Sequence, residues 1–107
     1  MNRSAVNLPD RLPDAVLEQA AAVLRVLAHP HRLGIVELLM IQRHTVGELA
    51  EALGLAPHAV SQHLNHMKAF GILDSQRHGR EVYYRVANPN AVNVIECIRR
   101  HGDGKQT

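Results

Sequence analysis

Within ELAEALGLAPHAVSQHLNHM, residues 48–67, a small residue, a glycine and a β-branched residue stand at Ala50, Gly54 and Val60. Two short helices can cross closely only under three conditions. A small side chain must face the partner helix, the chain must turn at a residue that tolerates positive φ, and a branched apolar group must anchor the second helix. These positions meet the conditions in order, and Leu49, Leu53, Leu64 and Met67 complete an apolar seam. The spacing predicts a helix-turn-helix. The rest of the chain must supply its support, and 107 residues give one domain with one core.

Periodicity and punctuation place the other elements. A first helix from Asp14 to about Leu27 carries Val16, Leu17, Ala20, Ala21, Leu24 and Leu27 at three- and four-residue spacings. Pro30 suits the first position of a second helix, where its missing N–H costs nothing; that helix runs to about Gln42 and buries Leu33, Val36, Leu39 and Met40. Thr45 and Glu48 form a capping box at the head of the third helix, residues 46–53, and Gly54 is its left-handed terminator. The fourth helix opens at Pro57 and ends near Phe70-Gly71. Beyond it the period changes to two: Val82, Tyr84 and Val86 alternate with Glu81, Tyr83 and Arg85, and His78-Gly79 marks the hairpin turn. Asn88-Pro89 starts a last helix that runs to about His101. The expected fold is mainly α with a small β-hairpin wing, a winged helix-turn-helix of four helices, two strands and a final helix. Residues 1–13 are expected to form a loose arm, 14–101 the DNA-binding and dimerisation domain, and 102–107 a frayed tail.

Composition narrows the classes. No stretch approaches 18 uninterrupted apolar residues, and MNRSAVNLPDRLPD has no signal-type apolar run, so a cytoplasmic chain with no membrane span is expected. A single cysteine, Cys97, cannot form an intrachain disulfide. It is expected to be a small buried apolar residue, with a disulfide across a dimer axis as the alternative. The net charge of +2 is uneven: residues 1–54 sum to −1 and residues 55–86 to +2. No Gly-rich phosphate loop, cysteine nucleophile motif or carboxylate pair points to an enzyme.

Projecting the fourth helix at 100° per residue puts Val60, Leu64 and Met67 on the inner face. His58, Gln62 and Asn65 fall roughly opposite, Ser61 and Lys68 lie on one shoulder, and His63 falls on the buried one. Glutamine can pair bidentately with adenine, while serine and lysine suit base edges or phosphates. Arg77 and Arg80 flank the wing tip, and arginine suits a narrow minor groove. These seven residues, His58, Ser61, Gln62, Asn65, Lys68, Arg77 and Arg80, are the expected contacts to double-stranded operator DNA. The first and last helices are apolar around more than half their circumference, more than one core requires. Val16, Leu17, Ala20, Leu24, Ala91, Ile95 and Ile98 are therefore the expected homodimer interface, and a two-fold dimer is expected to read a palindromic operator.

AHPHRLGIVELL, VGELAEALGLAPHAVSQHLNHMKAFGIL and HGREVYYRV together resemble the ArsR/SmtB family of bacterial winged-helix repressors, over residues 15–101. The resemblance implies a homodimer that releases its operator when a ligand, often a metal ion, alters the dimer. It also makes Ser61 and Gln62 the principal groove-facing pair, and matches His63 to a common family histidine. Ala56 departs from the family's usual serine N-cap, a loss of about 1 kcal/mol. The family's cysteine-pair metal site would fall on Thr45 and Gly47, and its last-helix site on Asn88, Asn90, His101 and Gly104; neither set can hold a metal. Its thiol pair would fall on Glu37 and Gly104. Two histidine pairs, His29 with His31 and His63 with His66, are weighed as parts of an unfamiliar zinc site, but no metal or other cofactor is expected. The inducer, whether small molecule or metal, is left unnamed. Two further readings stand beside this one: a repressor controlled by abundance or a partner protein, and a winged helix used only for contacts with protein or RNA.

Overall fold

The computed structural model describes residues 10–102. The expected arm over 1–13 and tail over 102–107 lie mostly outside that span. The elements are α1 (Asp14–Leu27), α2 (Pro30–Ile41), α3 (Val46–Leu53), α4 (Pro57–Ala69), β1 (Leu73–His78), β2 (Glu81–Val86) and α5 (Pro89–Gly102). Among the described residues no helix is long and apolar enough to cross a membrane.

α2 is the hub, in contact with α1, α3, α4, α5 and β2. A helix packed on several sides is apolar around most of its circumference, so a single stripe misjudges it. Ile35, Val36 and Leu39 are the buried residues of α2, whereas Leu33 and Met40 are only half-buried. Ile35 is the member that the expected stripe omits. α1 turns Val23, Val26 and Leu27 into the core and leaves Val16, Leu17 and Leu24 outside.

Local chemistry sets the helix ends. Thr45 Oγ1 accepts from the Glu48 N–H at 3.2 Å, and Glu48 Oε1 accepts from the Thr45 N–H at 2.9 Å, so the capping box is complete. Gly54 has φ 68°, and the Leu55 N–H reaches back to the Ala50 carbonyl at 3.0 Å, closing α3 and aiming the chain into α4. α4 begins at Ala56 without a side-chain cap, with Pro57 at its first turn. Asn88 Oδ1 caps α5 by accepting from the Asn90 N–H at 2.8 Å.

The hairpin is antiparallel with Leu73 opposite Val86 and His78 opposite Glu81. His78 is thus the last rung, and Gly79-Arg80 make the two-residue turn. Gly79 supplies the positive φ (64°) that such a turn demands at its first position. Beyond the two strands, His44 and Tyr84 exchange backbone hydrogen bonds at 2.8 and 3.4 Å, so the loop before α3 adds one rung to the wing. Tyr83, expected on the wet face, is half-buried because Arg43 lies over its ring at 4.3 Å.

Candidate nucleic-acid interface

α4 is seated by Val60, Leu64 and Met67, all at 0% exposure. That anchoring leaves its opposite face outward. His58, Gln62, Asn65 and Lys68 are exposed and Ser61 is half-buried. No acidic residue occurs from 57 to 69, so nothing on this face repels a phosphate. Lys68 is engaged: its Nζ donates to Ser75 Oγ at 2.7 Å, tying the end of α4 to the base of β1.

The wing presents Arg77 in β1 and Arg80 in the turn, both exposed. Arg85, one residue from the wing's end, is held by Asp74 across the hairpin at 2.8 Å. The hydrogen bond to Asp74, followed by its negative charge, raises the guanidinium's pKa above the ordinary arginine value. Arg85 therefore braces the wing, and Arg77 and Arg80 are its cations without a recorded ion pair among the described residues. Arg43 is a cation beside the wing that the sequence reasoning missed. Its loop position gave no periodic signal, and only the fold brings it to Tyr83.

The expected dimer residues divide. Val16 (46% exposed), Leu17 (41%), Leu24 (51%) and Ile98 (47%) carry apolar surface outward, and Ala20 is exposed between them. Ala91 (0%) and Ile95 (5%) instead lie in the protomer's own core and offer nothing to a partner. They form the inner stripe by which α5 docks against α2 and β2. Cys97 is exposed rather than buried, because two residues beyond Ile95 is about 200° around the helix.

His63 is half-buried and does not pair with His66, whose ring lies against Phe70 at 5.3 Å. It meets His29 and His31 instead, with ring centroids 4.7 and 5.8 Å away. Arg32 Nε donates to His63 Nδ1 at 3.2 Å. Burial lowers the His63 pKa below the ordinary histidine value, and the neighbouring His29, Arg32, His31 and His66 lower it further.

A helix pair joined by a positive-φ glycine, an exposed polar second helix and a following hairpin define a winged helix-turn-helix of the DNA-binding class. The sequence profile of the bacterial regulatory proteins of the arsR family matches residues 29–75. The chain is 44% identical over 82 residues to the HTH-type transcriptional regulator YgaV of Escherichia coli, covering 76% of this chain and 82% of that one. It is 40% identical over 83 residues to the HTH-type transcriptional repressor SmtB of Mycobacterium tuberculosis; the match covers 78% of this chain but 62% of that repressor's length. The homodimeric winged helix-turn-helix DNA-binding domain Mb0332 of Mycobacterium bovis superposes with a TM-score of 0.75 at 30% identity, over 84% of this chain and 83% of that one. The chain belongs to the arsR family of bacterial regulatory proteins. These relatives are transcriptional regulators and not enzymes.

Proposed function

We propose that the protein is a sequence-specific repressor that binds a palindromic operator as a homodimer in the cytoplasm and is released by an inducer. The observation that carries the reading is α4: an acid-free polar face held outward by three fully buried residues, beside a wing with two exposed arginines. Ser61, Gln62, Asn65 and His58 meet base edges in the major groove, Lys68 meets the adjoining backbone, and Arg77 and Arg80 reach the phosphates or minor groove. The outward Val16, Leu17, Ala20, Leu24 and Ile98 form the seam between protomers. A groove of about 260 Å³ lined by Ala20, Val23, Leu24, Asn90, Asn93 and Val94 lies open between α1 and α5, where a second copy can fill it. Exposed Val16, Leu17 and Leu24 on α1 together with Ile98 on α5 favour a symmetric partner.

Selection of duplexes from a random pool tests the reading. Enrichment of an inverted repeat with half-site centres about 10 base pairs, or a multiple of that, apart is the expected result. Sedimentation equilibrium at micromolar concentration should report a dimer. An enriched site without symmetry, or a pure monomer, overturns the dimeric operator complex.

A further inference from the structure

Three imidazoles from two elements converge behind the reading helix. His29 caps α2, His31 follows in its first turn, and His63 projects from the middle of α4. One ring nitrogen from each lies within 4.8 Å of the other two. A tetrahedral zinc ion with Zn–N bonds near 2.0–2.1 Å holds its ligand nitrogens about 3.3–3.4 Å apart. Closing that difference requires rotation of the exposed His31 ring and small turns of the other two.

We propose that His29, His31 and His63 form a binding site for a divalent transition metal of the zinc class, with the fourth position open to water. Neutral imidazoles are the donors such ions favour over calcium or magnesium. Burial first, then the nearby His29 and Arg32, lowers the His63 pKa, the direction that favours a neutral imidazole ligand. The site is separate from Thr45, Gly47, Asn88, Asn90 and His101, the described positions where the resemblance placed metal ligands.

The hydrogen bonds already present shape how the ion enters. His29 Nδ1 accepts from the His31 N–H at 3.1 Å, and His63 Nδ1 accepts from Arg32 Nε at 3.2 Å. A neutral imidazole has one lone-pair nitrogen, so both rings carry their protons on Nε2 in this state. An ion must either displace the donors at Nδ1 or bind Nε2 after the proton moves to Nδ1. Both routes release Arg32 from His63. Arg32 keeps its other bond, from Nη1 to the Val26 carbonyl at 2.8 Å, and so stays tied to the end of α1. His63 directly follows Gln62, so a bound ion ties the reading segment of α4 to the start of α2. Only this last consequence rests on the DNA-binding reading.

The test uses the full chain, freed of metal with a chelator and without DNA, titrated with Co(II). Saturable visible ligand-field absorption at one Co(II) per chain, displaced by Zn(II), is expected. His31→Gln leaves the core untouched and should weaken binding at least about tenfold, as should His63→Gln, with helical circular dichroism confirming that both remain folded. His58→Gln, His66→Gln and His101→Gln should leave the titration unchanged. Absence of saturable binding in the wild type overturns the site. So does binding that survives His31→Gln and His63→Gln together, or that is lost in His101→Gln.

Discussion

Leu64→Ala is expected to lower the free energy of unfolding by about 2–5 kcal/mol, a large share of the roughly 5–15 kcal/mol available to a domain of this size. Leu64 is fully buried on the inner face of α4, one turn from both Val60 and Met67. The cavity left by truncation cannot close easily. α3 is fixed at its head by the Thr45–Glu48 capping box and at its foot by the Gly54 turn. α2 is held from five sides. Urea unfolding at one fixed chain concentration reads the change, because the proposed dimer would make the midpoint depend on concentration. A loss below about 1 kcal/mol would mean that α4 is not seated by this core.

Gln62→Ala and Arg80→Ala are expected to separate the two kinds of DNA contact. Gln62 is exposed at the centre of the reading face, and a bidentate glutamine–adenine pair discriminates by about 1–3 kcal/mol. Its removal should lower affinity for the selected site roughly five- to 150-fold and bring that site closer to its single-base variants. Arg80 sits in a two-residue turn within the exposed run from Gln76 to Glu81, and its expected contact is to charge. Arg80→Ala should weaken all duplexes alike and reduce the slope of log K against log salt by about one. Fluorescence anisotropy across a salt series measures both. The reverse pattern would exchange the two roles.

Features decided by residues close in sequence were legible before the fold was known. The Ala50–Gly54–Val60 spacing, the Thr45–Glu48 box, the Asn88 cap and the hairpin alternation each depend on neighbours close in sequence. Features decided by what packs across were not. The stripe assigned to α2 omitted Ile35 because five elements, not one, surround that helix. Ala91 and Ile95 seemed available to a partner because the apolar width of α5 does not say which part faces its own core. The histidines show the division most clearly. His29 and His31 flank Pro30 visibly, and His63 projects to a shoulder of α4, yet their meeting depends on how α2 crosses α4.

Ile72 links three parts of the molecule through its backbone. Its N–H closes α4 on the Met67 carbonyl at 3.0 Å, and its own carbonyl accepts from the Ala87 and Asn88 N–H groups at 2.8 and 3.2 Å. α4, the wing and the final helix therefore share one buried joint. In the proposed dimer, a force that reaches α5 would pass to α4 through this backbone joint rather than through a free loop. On that proposed reading, a shift at the seam is expected to change the angular phase of the two α4 helices along the double helix, while each helix keeps its own shape.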